Sequence, residues 1–243
     1  MIHLFRGEVY RILHKRSMYR YLAVVFLGVL AITFMRSSGL NADSVVDDAG
    51  TLFQLMPALL GGYFFTSIFS DDLTSKNLIT LVGYGTSRTK IIITKLLLML
   101  VFTFLSFAVL TGLHLAAYAL LGFAATGPAI GYVLAFALQN LLLTIGFTAV
   151  AAIVVYGTQR PTFAAVAYFM LAFNVVTMLI RAVSGLLDVD LSSRLISGTA
   201  GDIMMGLLVP GGVSAAPWIE FAAYLALAIG AAIFVFKRRE MEF

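Results

Sequence analysis

Residues 129–156, AIGYVLAFALQNLLLTIGFTAVAAIVVY, carry no charged side chain and are long enough to cross a lipid bilayer as one helix. A hydrocarbon core of roughly 30 Å needs about 20 apolar residues per helical crossing. The whole chain has this character, because 61% of its residues are hydrophobic, 12% are charged and the mean hydropathy is +0.99. Soluble domains contain about twice that share of charged residues. The sequence therefore predicts an all-α integral membrane protein.

Six apolar segments are predicted as transmembrane helices of one domain, 1–243. Turn-forming residues such as Pro128 and Pro161 separate them. The third segment exceeds one straight crossing and is predicted as a single long helix that projects from the bilayer and bends near Gly112 and His114. The second contains Pro57, which predicts a kink packed against protein. The six segments are 19–35, 50–69, 91–122, 129–156, 162–183 and 218–236.

Basic residues are distributed unevenly between the predicted loops. Of the 16 Lys and Arg residues, only Arg36, Arg181 and Arg194 fall on the side opposite the termini. Because cytoplasmic loops accumulate Lys and Arg, both termini and the loop 70–90 are predicted to be cytoplasmic, in the inner membrane of a cell. The pI of 9.4 reflects this topology and gives no reason to expect nucleic acid as a partner.

Residues 1–18 are predicted to form an amphipathic helix at the membrane interface. Apolar side chains recur at three- and four-residue steps from Ile2 to Leu13, and basic side chains lie largely elsewhere. Such a helix either anchors the N-terminus to anionic lipid headgroups or contacts a partner protein. Both interpretations remain open from these residues alone.

A polar stretch at 70–95, SDDLTSKNLITLVGYGTSRTKIIITK, interrupts the apolar chain between segments two and three. Asp71 and Asp72 are good residues for a helix start, and a short helix is predicted over 73–82 before Gly83 and Gly85. The apolar side chains of this helix have no obvious core to cover. It either rests on lipid or docks onto a soluble subunit.

Two loose motifs resemble those of type-2 ATP-binding-cassette (ABC) transporter permeases, the six-helix exporter subunits that include bacitracin-resistance, lantibiotic-immunity and sodium-extrusion members. The stretch 8–12, EVYRI, resembles the start of their N-terminal helix. The acidic pair 71–72, the stretch 76–78, Ser87-Arg88 and Lys95 resemble their pattern between helices two and three. Here Asp stands where many members have Glu, and 84–86, YGT, precedes Ser-Arg where Pro is common.

The resemblance implies a permease that exports an amphiphile such as an antimicrobial peptide, a lipid or a drug across a bacterial cell membrane. It implies that the loop between helices two and three is a coupling helix seated on a separate ATPase subunit, and that a second permease, identical or homologous, completes a dimer. The N-terminal interfacial helix would contribute Phe5, Glu8, Tyr10, Arg11 and Ile12. The ATPase-docking residues would be Asp71, Asp72, Leu73, Lys76, Asn77, Leu78, Leu81, Val82, Ser87 and Arg88.

ATP and Mg²⁺ are expected on the partner ATPase and not on this chain. The sequence contains no G-x-x-x-x-G-K-[ST] phosphate loop, and the nearest stretch, 83–88, departs from that spacing. No cofactor or metal is expected on the chain itself, which has no cysteine. An enzyme is not expected either, because His114 has no acidic residue at helical spacing. No buried carboxylate or basic chain is foreseen within the bilayer, which argues against proton or ion coupling there.

Two regions are less constrained by the sequence. The segment 184–217 contains Pro210 and Pro217 and is predicted either as re-entrant helices before the sixth crossing or as a surface loop. Polar, Met and Phe side chains in segments two and five are candidates for a substrate pathway, although packing explains such residues as well. The candidates are Gln54, Met56, Phe64, Phe173, Asn174 and Met178. The alternative function is a polytopic membrane scaffold or signalling protein without transport activity.

Overall fold

The structure is a computed structural model that describes residues 2–35, 42–75, 77–122, 126–187, 195–209, 211–212 and 214–238. Within this part of the chain every regular element is helical. The helices are α1 (Ile2–Leu13), α2 (Arg16–Met35), α3 (Ala42–Met56), α4 (Gly62–Phe65), α5 (Asp71–Thr74), α6 (Asn77–Gly83), α7 (Arg88–Leu120), α8 (Gly127–Thr158), α9 (Pro161–Ala172), α10 (Val175–Leu187), α11 (Ile196–Leu208) and α12 (Ala215–Arg238).

Five helical stretches are long and apolar enough to cross a membrane, and the count is six if the bent pair of α9 and α10 is one span. The five are Arg16–Met35, Ser44–Leu73, Arg88–Leu120, Gly127–Thr158 and Ala215–Arg238. These lengths and compositions are those of a multi-pass membrane protein. The predicted all-α class is therefore confirmed, and five of the six predicted crossings match unbroken helices.

The fifth predicted crossing, 162–183, is not one straight helix. The helices α9 and α10 meet at an angle of 59°. Asn174 lies at the break with φ of +57°, in the left-handed region. Asparagine is one of the few residues that tolerate this region, and a left-handed residue ends an α-helix. The apolar pattern continues across the break, which is why hydropathy alone does not detect it.

The second crossing is longer than the predicted 50–69 and changes its helical geometry twice. Two π-helical turns, Pro57–Gly61 and Thr66–Ser70, lie between α3, α4 and α5. The hydroxyl of Tyr168 on α9 donates a hydrogen bond to the carbonyl of Pro57 (2.8 Å). Packing against protein at Pro57 is thus confirmed, because a neighbouring helix supplies a hydrogen-bond partner inside the span.

The helix α8 is the centre of the bundle and packs against α3, α7, α9, α11 and α12. The third crossing, α7, is one uninterrupted α-helix of 33 residues. The single long helix is confirmed, and α-helix continues through the predicted bend at Gly112 and His114. The helix α11 also packs on α8 and α12. It occupies part of the predicted segment 184–217, of which 188–194, 210 and 213 lie outside the described residues.

Buried apolar side chains form two clusters. One includes Ile12, Phe69 and Leu78 and therefore joins α1 and α6 to the second crossing. The other includes Val45, Phe53 and Tyr118 and joins α3, α7 and α8. The first cluster surrounds the polar site described below.

Candidate functional site: a buried ring of ion pairs

Four charged side chains meet between the N-terminal helix, the end of the second crossing and the start of the third. Glu8 and Arg11 come from α1, Asp72 from α5 and Lys95 from α7. Glu8, Asp72 and Lys95 are 4%, 1% and 1% exposed. Charged side chains are almost never buried to this extent unless they are paired.

The four side chains form a closed ring in which acidic and basic groups alternate. Arg11 Nη2 lies 2.7 Å from Glu8 Oε2, and Arg11 Nη1 lies 2.9 Å from Asp72 Oδ1. Lys95 Nζ lies 2.8 Å from Glu8 Oε1 and also contacts Asp72 Oδ2. Each carboxylate therefore contacts both cations, and the formal charge of the ring is zero. This neutrality offsets the cost of burying Glu8, Asp72 and Lys95, while the Arg11 side chain keeps 28% of its surface exposed.

Local sequence places each member of the ring. Glu8 lies one helical turn from both Phe5 and Ile12, so it shares the inward face of α1 with apolar residues. Asp72 lies in α5, which continues directly from the second crossing with no break in the helical backbone. Lys95 lies in the second turn of α7 within an apolar run. The predicted amphipathic helix 1–18 is shorter in the structure, because α1 ends at Leu13 and α2 begins at Arg16. The apolar face of α1 is turned toward protein, although Ile2 and Leu13 stay exposed.

A second ion pair lies beside the ring at the protein surface. Lys15 Nζ contacts Asp71 Oδ2, and their side chains are 27% and 49% exposed. It joins the link between α1 and α2 to α5. Exposed pairs of this kind contribute about 0–1 kcal/mol to stability. Removing one partner of a buried pair, as in the ring, costs about 3–5 kcal/mol.

The Ser87-Arg88 motif joins the start of α7 to the end of α12. The hydroxyl of Ser87 accepts a hydrogen bond from the backbone N–H of Lys90 (3.4 Å) and so caps α7. The Arg88 guanidinium donates to the carbonyls of Phe236 and Lys237, the latter at 3.2 Å, and lies 5.3 Å from the centre of the Phe236 ring. A cation at these carbonyls also interacts favourably with the negative end of the α12 dipole.

The predicted loop helix 73–82 is divided into α5 and α6 and does cover a core. Leu78 is buried in the first apolar cluster, and Leu81 and Val82 pack against it. The expectation that these side chains have no core to cover is therefore wrong. The exposed surface of this loop includes Thr80 and Tyr84, whose side chain is 84% exposed.

The predicted docking residues occupy different surroundings. Asp72 is enclosed in the ring, Asp71 is paired at its edge, and Leu73 packs on the apolar cluster. Lys76 and the side chain of Asn77 lie outside the described residues. Of the predicted residues on α1, Phe5, Glu8, Arg11 and Ile12 face inward, whereas Tyr10 is 64% exposed and stacks on His14.

Four of the six predicted pathway residues lie together. Gln54, Phe173, Asn174 and Met178 line one cavity of about 400 Å³. Met56 and Phe64 are instead buried in the two apolar clusters, at 2% and 0% exposure. Packing explains these two side chains.

A further buried carboxylate lies near the opposite end of α7. Asp48 on α3 is 4% exposed and accepts a hydrogen bond from the hydroxyl of Tyr118 (2.5 Å). His114 Nε2 donates to the carbonyl of Val45 (3.2 Å), and its ring lies 5.0 Å from that of Tyr118. The expectation of no buried carboxylate or basic side chain is therefore wrong at both ends of the bundle. Asp48 belongs to a different helix, so spacing along α7 does not reveal it.

Sequence reasoning identified all four ring residues as motif members but missed that they contact one another. The signals were a carboxylate on the apolar side of α1 and a lysine inside an apolar run. A charge inside a span needs a partner, and Lys95 has two. Among the described residues there is no cluster of three or more His, Asp or Glu side chains able to hold a metal ion.

No protein-family model matches this chain, and no curated protein matches it.

Proposed function

We propose that the chain is the membrane-spanning permease subunit of an ABC exporter, driven by a separate ATPase and completed by a second permease. In this proposal the ring lies at the cytoplasmic face, α5 and α6 form the coupling segment, and α11 is a re-entrant helix before the sixth crossing. The cargo is an amphiphile that crosses the bacterial inner membrane.

The observation that carries the proposal is the convergence of the motif residues. Glu8, Arg11, Asp72 and Lys95 are far apart in sequence, yet they meet in one ring. The ring joins the two segments that the resemblance assigns to ATPase contact, α1 and the loop that begins at α5, to the start of the third crossing. A chance similarity of loose motifs gives no reason for these residues to touch.

The ring also supports a mechanical role. Because α5 continues the second crossing, a displacement of the loop passes directly into that span. Separating one buried ion from its partners costs about 3–5 kcal/mol, so α1, α5 and α7 move as one body. ATPase motion applied to the loop is thereby transmitted to three segments together.

In this arrangement the ATPase contacts the exposed side of the loop and not the ring. Tyr84 projects from the loop between α6 and α7 with 84% of its side chain exposed. Large aromatic side chains are enriched where binding energy concentrates at protein interfaces. Asp72 supports this surface from within.

A photo-crosslinking amino acid at position 84 of the full chain, in native membranes, tests the proposal. We expect it to capture a protein that mass spectrometry identifies and whose sequence contains a G-x-x-x-x-G-K-[ST] loop. Position 132 is the matched control, because Tyr132 is also an exposed tyrosine, 41% exposed, and lies near the N-terminal end of α8. Capture of no such ATPase at position 84, or equal capture at both positions, favours the scaffold alternative.

A further inference from the structure

The cavity of about 400 Å³ lies between four elements of the bundle. It is lined by the second crossing around Gln54, by α8, by the break between α9 and α10, and by the start of α11 at Ser197. Its volume falls within the range of small-molecule sites, about 300–1,000 Å³. It does not include any member of the ion-pair ring.

Three amide side chains in the cavity are without protein partners. Gln54, Gln139 and Asn174 line it, and none of these side chains makes a hydrogen bond within the described part of the chain. The hydroxyl of Ser197 is buried and has no partner there either. Asn140 differs, because its amide donates to the carbonyl of Phe136 (2.9 Å). Polar groups at membrane depth are costly unless something satisfies them, so this lining favours a polar ligand.

The charge of the lining identifies the sign of that ligand. Arg181 on α10 is the one charged side chain among the described lining residues, and it forms no ion pair there. An arginine in a crossing helix normally faces a partner or an aqueous cavity, since contact with lipid is expensive. The guanidinium is a planar donor that matches carboxylate and phosphate oxygens, and the amides add neutral donors.

The exposed part of the cavity lining includes apolar side chains beside the polar Gln54 and Arg181, which are exposed as well. Phe173 and Met178 are 57% and 66% exposed, and both line the cavity beside the polar groups. Methionine and aromatic side chains adapt to flexible apolar chains. An anion held by Arg181 would therefore have an apolar surface next to it for an attached hydrocarbon.

We propose that this cavity binds the acidic head of a lipid-like amphiphile, with Arg181 contacting the phosphate or carboxylate and Phe173 and Met178 contacting the chain. The proposal names the substrate class of the exporter and in that respect rests on the function proposed above. Its test needs no ATPase, so failure of lipid binding and failure of ATPase capture are separate results.

Native mass spectrometry of the full chain in detergent, given equal amounts of phosphatidylglycerol and phosphatidylcholine, tests the charge selectivity. We expect a preference for phosphatidylglycerol of about tenfold or more, equivalent to about 1.4 kcal/mol. Arg181→Gln should abolish the preference, and Arg181→Lys should retain part of it. Arg160→Gln is the matched control. Arg160 directly precedes α9, at the end of that helix away from the break at Asn174, and lies over the Phe163 ring outside the cavity.

Two results would overturn the proposal. If Arg181→Gln keeps the full preference, Arg181 does not bind the acidic head. If Arg160→Gln loses the preference to the same degree, then Arg181 only extends toward headgroups in the way of other interfacial cations. If inorganic phosphate alone binds as tightly as phosphatidylglycerol, the exposed apolar side chains contribute nothing and the ligand is not an amphiphile. Binding of inorganic phosphate that is weaker by about tenfold or more supports the amphiphile.

Discussion

Asp71 and Asp72 are adjacent in sequence but have very different surroundings. The carboxylate of Asp71 faces one partially exposed lysine, whereas that of Asp72 is enclosed between Arg11 and Lys95. Water replaces a lost partner at the first site and cannot do so at the second. The same substitution therefore has different consequences at the two positions.

Asp72→Asn should destabilise the protein by about 3–5 kcal/mol, because it leaves the buried Lys95 and the partly exposed Arg11 facing one carboxylate. Asp71→Asn should cost at most about 1 kcal/mol. Unfolding in detergent can be followed for both variants through Trp218, the single tryptophan of the chain. Equal loss of stability in the two variants would contradict the ring as a buried electrostatic unit.

At the scale of helices, close packing of the second crossing depends on a glycine. A Cβ atom added at Gly61 would lie 2.0 Å from the Tyr168 hydroxyl oxygen and 2.6 Å from Thr144 Cγ2. Threonine has few χ1 rotamers in a helix, and rotating Thr144 to move its methyl would break the hydrogen bond that its hydroxyl donates to the carbonyl of Asn140 (2.8 Å). The approach of α8 and α9 to this π-helical turn thus requires a residue without a side chain.

Gly61→Ala should reduce stability by about 1–3 kcal/mol through overpacking. Gly112→Ala in α7 is the control, since nothing lies within 4 Å of its added Cβ. Alanine there should leave stability unchanged or raise it by about 0.5–1 kcal/mol, because alanine favours helix. Thermal unfolding of the two variants compares them directly, and a tolerated alanine at position 61 would contradict the packing.

The hydrogen bonds from Arg88 on α7 to the end of α12 give a second prediction at the scale of helices. Arg88→Gln removes the cation that binds the last carbonyls of α12, so the final turn of that helix should fray. Amide hydrogen exchange near residues 234–238 should accelerate by about fivefold or more, as expected for the loss of about 1 kcal/mol. Lys90→Gln, an exposed position two residues away on α7, should leave this exchange unchanged.

The helices were more predictable from the sequence than their junctions. Each predicted crossing is specified by its own apolar residues, so hydropathy finds the five long helices directly, whereas it gives 162–183 as one segment where the structure has the bent pair α9 and α10. The break at Asn174 depends on one left-handed residue, and the ring depends on pairs that join residue 95 to residues 8 and 72. Neither follows from a local pattern, because packing between helices decides which side chains meet.

At the scale of the whole molecule, the two buried polar groups lie at opposite ends of one helix. Lys95 and His114 are 19 residues apart on α7, a distance of roughly 28 Å at 1.5 Å per residue. This is close to the hydrocarbon thickness of a bilayer, about 30 Å. The ring and the Asp48 site therefore fit the two edges of a membrane slab, with apolar packing between them.

This arrangement predicts that the two ends of α7 lie on opposite sides of the membrane. Because the chain has no native cysteine, single cysteines report position without background. Tyr84→Cys and Leu120→Cys are suitable, since their side chains are 84% and 82% exposed. With the basic residues inside, a membrane-impermeant maleimide added to intact cells should label position 120 and not 84, and inverted vesicles should reverse the pattern. Labelling of both positions from one side would contradict a crossing by α7, and labelling of position 84 alone from outside would invert the orientation on which ATPase docking depends.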